Sequence, residues 1–212
     1  MTTVILNENI LFKEIEAQLS NEEFQQLKSL IQKENKDSIL ARLGDKNLEN
    51  YLNISIKSNF LHLYVCKNQS EIIGYALVAD KPKYLISEFL NLKTNILIDL
   101  LLKFEISTLI NVAISFLNLD LILVSKVNRN LIHNNPNLNL LAINANFRSK
   151  GIGKEFMKKI FHTFLDKNKD IYFTCETYSE RAKNFYVNKL KFISVGKKIR
   201  LFKSMNIFIK KI

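Results

Sequence analysis

The N-terminal part of the chain shows helical spacing of its apolar residues. Ser20, followed three residues later by Glu23, has the capping-box pattern that begins a helix. Four apolar residues then recur at helical spacing, namely Phe24, Leu27, Leu30 and Ile31. A second helical pattern occupies positions 39–43 and resumes at 48–52. Two helices are therefore predicted before residue 60.

From residue 60 the apolar period becomes two, which is the period of a half-buried strand. Residues 60–66 and 72–78 alternate in this way on either side of a polar turn at 68–70. The pattern predicts an antiparallel hairpin.

The middle of the chain is unusually apolar. Residues 84–124 are rich in Leu, Ile and Phe at mixed spacing, which predicts two or three strongly apolar helices. The longest run without a charged residue there, 106–119, is shorter than the about 20 residues of a membrane-spanning helix, so no transmembrane span is expected. The next residues, 125–137, are polar and contain the turn sequence Asn134-Asn135-Pro136.

Strands and helices alternate in the C-terminal part. A short apolar strand at 138–143 leads through a glycine-bearing loop, 148–153, into a helix. That helix carries the apolar residues Phe156, Ile160, Phe161 and Phe164. A further strand is predicted at 171–175, followed by a helix that Ser179 caps.

The chain closes with a predicted hairpin of 192–202 and 205–209, after the Ser179 helix ends near Lys189. This order of elements predicts an α/β fold with a mixed central sheet flanked by helices. With 212 residues, 47% of them hydrophobic and 24% charged, the chain is expected to form one domain, 1–212, that carries 84–137 as a helical insertion.

Composition limits the partners that the chain can have. The net charge of +11 comes mostly from lysine, and no element interleaves arginines with aromatic residues, so nucleic-acid binding is not expected. The charge instead favours a polyphosphorylated cofactor. Cys66 and Cys175 lie in apolar stretches without metal-type spacing, which predicts buried free thiols, a cytoplasmic location and no metal.

Two of the five glycines in the chain lie in the loop between the 138–143 strand and the following helix. Gly151 and Gly153 leave room for a phosphate to approach the backbone, and the helix dipole favours an anion there. Arg148, Lys150 and Lys154 surround the loop with cationic donors. The pattern is neither a P-loop nor a dinucleotide-binding loop, and a tight structural turn is its other interpretation.

The loop and its flanking strand resemble the acetyl-CoA signature of the GNAT superfamily of N-acyltransferases. The strand ends in Leu140-Leu141-Ala142-Ile143 and the loop runs Arg148-Ser149-Lys150-Gly151-Ile152-Gly153. About thirty residues later, Ala182-Lys183-Asn184-Phe185-Tyr186 with Lys191-Phe192 is similar to the second motif of the family. The resemblance implies a GNAT-like fold over the whole chain and a helical insertion before the acetyl-CoA-binding strand.

By this resemblance, the backbone of the strand would bind the pantetheine arm and the loop would bind the pyrophosphate. Serine stands at position 179, where relatives often have a cofactor-binding asparagine. The implied acetyl-CoA-binding residues are Leu141, Ala142, Ile143, Arg148, Ser149, Lys150, Gly151, Ile152, Gly153, Lys154, Ser179 and Tyr186.

The implied reaction is direct attack of a primary amine on the acetyl thioester, which needs a base and an acid. Tyr186 matches the tyrosine of the family that protonates the leaving thiolate, and its other interpretation is a core aromatic residue. Some relatives place a basic carboxylate where Thr174 stands, so Glu176 and His133 are the remaining candidates for the base. Water is a further alternative.

The acceptor is not identified by the sequence, and an amino sugar or another small amine fits the resemblance. The insertion 84–137 has three interpretations: additional core helices, a contact between two copies in a homodimer, or a wall of the acceptor pocket. The alternative function is a regulatory module that binds acyl-CoA without turnover, because no base is evident.

Overall fold

The computed structural model describes residues 10–36, 38, 41, 45–82, 126–165, 171–200 and 203–212. The strands in these ranges are β1 (Ile10–Glu14), β2 (Leu61–Asn68), β3 (Glu71–Ala79), β4 (Asn137–Ile143), β5 (Tyr172–Thr177), β6 (Ile193–Arg200) and β7 (Lys203–Lys211). The helices are α1 (Asn21–Glu34), α2 (Asp45–Lys57), α3 (Lys126–Asn134), α4 (Ile152–Leu165) and α5 (Glu180–Asn184). The apolar helices predicted at 84–124 and the helical pattern at 39–43 lie outside the described residues, apart from position 41.

The strands form a mixed sheet in the order β1-β2-β3-β4-β5-β7-β6. β1 pairs antiparallel with β2, β4 pairs parallel with β5, and β7 pairs antiparallel with both β5 and β6. Both a parallel pair and antiparallel pairs therefore occur. The α/β fold class with a mixed sheet flanked by helices is confirmed.

The chain divides into two compact units, and β4 contributes to both. The first unit comprises Met1–Val78 and Asn139–Lys169, and the second comprises Ala79–Leu138 and Asp170–Ile212. The organisation as one domain with an insertion at 84–137 stays a prediction.

In the first unit, α1 forms as its sequence pattern predicts. The Oγ of Ser20 accepts the amide of Glu23 at 3.2 Å, and the carboxylate of Glu23 accepts the amide of Ser20 at 3.0 Å. The four predicted apolar residues of the helix are buried. Lys67 donates to Glu23 at 2.6 Å, and this bond, with that of the Ser20 amide, lowers the pKa of Glu23 to about 2.

β1 is an element that the apolar pattern did not predict. Its sequence, Ile-Leu-Phe-Lys-Glu, places three apolar residues in succession, so it has no period of two. The strand state comes from pairing, since Ile10 lies opposite Asn68 and Glu14 lies opposite Tyr64 on β2. Phe12 stacks on Phe156 of α4 with ring centroids 5.5 Å apart, so long-range packing supports the strand.

In the second unit, residues 126–134 form α3 in the polar segment before β4, and the buried Ile132 packs against Ile207 and Val195. The helix that Ser179 caps is α-helical only through Asn184 and continues as a π-helical turn, Phe185–Lys189. Among the described residues, no helix is long and apolar enough to cross a membrane.

Both cysteines are free and buried, which confirms the prediction for the thiols. Burial raises the pKa of Cys66 to about 12 and the pKa of Cys175 well above its ordinary value. The pKa values of Tyr75 and Tyr186 are likewise raised, mainly by burial. All four groups are thus held in their neutral forms in the folded chain.

We expect the free energy of unfolding to fall as the pH rises above about 9. The unfolded chain then loses these protons while the folded chain retains them, and the resulting slope is about 1.4 kcal/mol per pH unit for each group. Urea unfolding at pH 8, 9.5 and 10.5 measures the effect, and Cys66→Ala should make the slope shallower. Equal unfolding free energies at pH 8 and pH 10.5 would contradict the expectation.

Candidate functional site

The connection between β4 and α4 turns at two residues with left-handed backbone. Ser149 has a φ of 62° and Gly151 has a φ of 81°. The carbonyl of Gly151 accepts the amides of Lys154 and Glu155 at 3.0 and 3.1 Å, which begins α4. The first amides of a helix have no acceptor within it, and the helix dipole adds positive charge there. The turn therefore presents donors that suit a phosphate group.

The surface of this loop is cationic and open. Ser149, Lys150, Gly151 and Lys154 are exposed. A Cβ atom built on Gly151 would meet no atom within 4 Å. The ammonium of Lys150 lies 5.3 Å from the centre of the Phe147 ring, so a cation–π contact holds it beside the loop.

Unlike the exposed Lys150 and Lys154, Arg148 is half-buried and contacts other residues of the protein. Its Nε donates to the carbonyl of Ile143 at 2.7 Å, and its Nη2 forms an ion pair with Oε2 of Glu34. Glu34 is the last residue of α1 and its side chain is only 7% exposed. Glu34 lies 114 positions from Arg148, so no local sequence pattern could indicate this ion pair.

The last residues of β4 precede this loop and lie close to β3. Ala142 and Ile143 are buried, and Leu141 is half-buried. A Cβ atom built on Gly74 of β3 would overlap the Cδ1 of Ile143 and lie 3.0 Å from the carbonyl oxygen of Ala142. The glycine thus permits close approach of β3 to the strand that the resemblance assigns to the pantetheine arm.

We expect Gly74→Ala to cost about 1–3 kcal/mol of stability and to weaken acetyl-CoA binding, because the new methyl group displaces Ile143 and the Ala142 carbonyl. Chemical unfolding and calorimetry measure the two effects. Ile143→Val removes the overlapping Cδ1, so the double variant should recover part of both losses. Full wild-type affinity in Gly74→Ala would show that this contact does not affect binding.

In the second unit, Tyr186 lies in the π-helical turn within an aromatic cluster. Its ring centroid lies 5.7, 5.8 and 6.2 Å from those of Phe185, Phe192 and Phe208. Burial is the main cause that raises the pKa of Tyr186 well above its ordinary value of 10.0, and the nearby carboxylate of Glu176 adds to it. The hydroxyl therefore keeps its proton at physiological pH, as a general acid must.

Glu176 lies within β5, which continues through Thr177. Its carboxylate oxygens lie 2.7 and 2.5 Å from the Nζ of Lys198 on β6. The two side chains are only 12% and 11% exposed, so proton uptake by Glu176 would leave the charge of Lys198 uncompensated in a largely buried site. Sequence spacing did not reveal Lys198, because its pairing with Glu176 arises from strand order.

Thr174 and Ser179 have local structural partners. The hydroxyl of Thr174 donates to the carbonyl of Pro136 at 3.1 Å and accepts the side-chain amide of Asn137 at 2.8 Å. The Oγ of Ser179 accepts the amide of Ala182 at 3.4 Å, which caps α5. His133 is half-buried at the end of α3.

The candidate residues thus form two groups. Leu141, Ala142, Ile143 and the loop through Lys154 belong to the first unit, whereas Glu176, Ser179 and Tyr186 belong to the second. Within the second unit, Asn137 and Leu138 of β4 pair with Thr174 and Cys175 of β5. In the described part of the chain, no group of three or more His, Cys, Asp or Glu residues is arranged to hold a metal ion.

No family model matches the chain, and no curated protein matches it in sequence. Solved structures are similar to it in fold. The polyamine N-acetyltransferase of Drosophila melanogaster has a TM-score of 0.61 at 9% identity, with 96% of this chain and 100% of that chain covered. Arylalkylamine N-acetyltransferase 2 of Aedes aegypti has a TM-score of 0.59 at 17% identity, with 96% and 99% covered.

A protein of Desulfovibrio desulfuricans that is assigned to the GNAT family of acetyltransferases has a TM-score of 0.57 at 10% identity, with 95% of this chain and 98% of that chain covered. The chain has the GNAT fold. The prediction that rested on the 138–143 strand, the glycine loop and the 182–186 motif is confirmed at the level of fold. Within the GNAT fold, the roles of individual residues stay predictions.

Proposed function

We propose that this chain is an N-acetyltransferase that transfers the acetyl group of acetyl-CoA to a primary amine. The observation that carries the proposal is the loop at the start of α4, where two left-handed residues and a helix N-terminus lie beside exposed lysines. In a GNAT fold, such a loop follows the strand that would bind the cofactor. Structurally similar proteins include acetyltransferases that act on polyamines and arylalkylamines, according to their names.

The loop from Ser149 to Lys154 would bind the pyrophosphate of acetyl-CoA through backbone amides and the two lysines. Open space at the Gly151 Cβ position and exposed cations fit such a group. The backbone of Leu141, Ala142 and Ile143 would hold the pantetheine arm. The hydroxyl of Ser179, which caps α5, would also assist cofactor binding.

In the reaction, the amine nitrogen forms a bond to the acetyl carbonyl carbon and the carbon–sulfur bond breaks. Tyr186, which is protonated at neutral pH, donates its proton to the departing thiolate. The proton lost by the amine passes to water, because Glu176 is engaged with Lys198. Water then restores the proton of Tyr186.

Incubation with acetyl-CoA and a panel of amines tests the proposal. The panel contains spermidine, agmatine, tyramine, glucosamine and a peptide with a free N-terminus, and thiol release is followed with a chromogenic disulfide. Both cysteines of the protein are buried, so the background from the enzyme should be low. We expect thiol release that depends on one class of amine.

A specific alternative is a regulatory module that binds acyl-CoA without turnover, which the ion pair of Glu176 and Lys198 favours because it leaves no evident base. Tight CoA binding without thiol release for any amine would support this module. A steeply salt-dependent affinity for nucleic acid that acetyl-CoA displaces would instead favour a nucleic-acid site. A cytoplasmic location and a homodimer remain part of the proposal, to be examined by fractionation and light scattering.

A further inference from the structure

We infer that Glu34 is a positioning residue that holds the pyrophosphate loop in its binding shape and acts through Arg148. This inference rests on the proposed acetyl-CoA binding by that loop. It assigns to Arg148 a structural role within the site, and it leaves phosphate contact to the backbone amides, Lys150 and Lys154.

Both carboxylate oxygens of Glu34 bind the connection between β4 and α4. Oε1 accepts the amide of Ala145 at 3.1 Å, at the start of the 3-10 turn Ala145–Phe147. Oε2 accepts from Nη2 of Arg148. One buried carboxylate therefore holds both Ala145, the first residue of the turn, and Arg148, the residue after the turn.

Arg148 connects Glu34 to the end of β4. Its Nε donates to the carbonyl of Ile143, the last residue of β4, at 2.7 Å. The guanidinium thus spans the end of β4 and the end of α1, and its fixed planar geometry suits a double contact of this kind. Ser149, with its left-handed backbone, comes directly after this anchored residue.

The residue after α1 and the residue after β4 both form hydrogen bonds with β3. The side-chain amide of Asn35 donates to the hydroxyl of Tyr75, and the amide of Asn144 donates to the carbonyl of Ile73 at 2.8 Å. The end of α1 and the start of the loop are therefore both hydrogen-bonded to β3. A rigid support of this kind preserves the preorganised amides on which anion binding depends.

Electrostatics and positioning predict effects of opposite sign. Removing a negative charge near a phosphate site should tighten CoA binding if charge alone matters. If Glu34 shapes the loop, its replacement should weaken CoA binding, even though the negative charge that repels the phosphates of CoA has been removed. The sign of the change therefore separates the two accounts.

The test compares CoA affinities of the wild type, Glu34→Gln and Glu49→Gln by calorimetry. Glu49 is an exposed glutamate on α2, so Glu49→Gln makes the same change in net charge away from the loop. We expect Glu34→Gln to weaken CoA binding about tenfold, the scale of one lost charge-assisted hydrogen bond, and Glu49→Gln to stay within about twofold. Unchanged or tighter binding by Glu34→Gln would overturn the inference.

The KM for acetyl-CoA distinguishes weaker binding from a loss of folded protein, because a loss of folded protein does not change KM. We expect the KM for acetyl-CoA to rise about tenfold in Glu34→Gln with kcat within about twofold, whereas partial unfolding lowers kcat alone. Arg148→Lys keeps the charge and loses the double contact, so it should produce a similar loss. If circular dichroism shows that Glu34→Gln does not fold, Arg148→Lys replaces it in the same measurements.

The double variant Glu34→Gln/Arg148→Lys should bind CoA no more weakly than the weaker of the two single variants. Both changes break the same ion pair, so their effects should not add. Additive losses would mean that Arg148 contacts the phosphates independently and would overturn the inference. A wild type that does not bind CoA would instead remove the proposed function, together with this inference. The two failures are thus distinguishable.

Discussion

Gly151→Glu is expected to abolish measurable CoA binding while leaving the protein folded. The substituted side chain begins in open space, since a Cβ atom there meets nothing within 4 Å. It would add bulk and a negative charge where the helix N-terminus and the lysines favour an anion. We expect an affinity loss of more than about a hundredfold, equivalent to about 3 kcal/mol.

Two further variants separate the causes of this loss. Gly151 has a φ of 81°, so any side chain there strains the backbone. Gly151→Ala tests this strain alone and should cost about 1 kcal/mol of stability. Gly151→Gln adds the bulk of glutamate without its charge, so the difference between the Gln and Glu variants isolates electrostatic repulsion.

Calorimetry with CoA measures the series, and circular dichroism establishes that each variant is folded. We expect affinity to decrease in the order wild type, Ala, Gln, Glu. A folded Gly151→Glu that retains wild-type affinity would refute the assignment of this loop to the pyrophosphate.

Tyr186→Phe is expected to lower kcat about a hundredfold with little change in the affinity for acetyl-CoA. General acid catalysis contributes about 10²–10⁴-fold to rates, and phenylalanine preserves the ring packing with Phe192 and Phe208 while removing the proton donor. Tyr178→Phe, at an exposed tyrosine of the same unit, is the matched control and should leave kcat unchanged.

The pH dependence gives a second readout for Tyr186. Because its pKa is raised well above 10.0, its hydroxyl stays protonated up to that pH. We therefore expect no fall in the wild-type kcat between pH 8 and pH 10 from loss of the acid. Unchanged turnover in Tyr186→Phe would assign the residue to core packing alone.

Local sequence signals predicted much of the fold because they describe local physics. The Ser20–Glu23 capping box and the apolar face of α1 formed as predicted, since each requires only neighbouring residues. The β2–β3 hairpin formed around Gln69, which has a φ of 55°. Alternating strands need only a two-residue period and a turn to be recognised.

The elements that were missed depend on distant partners. β1 has no strand period, and β2 supplies the hydrogen bonds that make it a strand. The π-helical turn at Phe185–Lys189 accompanies the burial of Tyr186 among aromatic residues from other elements, which helical periodicity cannot reveal.

The position of the glycine loop between a strand and a helix follows from local sequence alone. Two glycines, flanking cations and a following amphipathic helix are local features, so the turn at Gly151 was predictable without a fold. The ion pairs near the candidate residues depend on the folded structure instead. Glu34 reaches Arg148 across 114 positions and Lys198 reaches Glu176 across 22, because helix ends and strand order bring them together. No local period encodes such contacts, because each joins residues that are distant in the sequence.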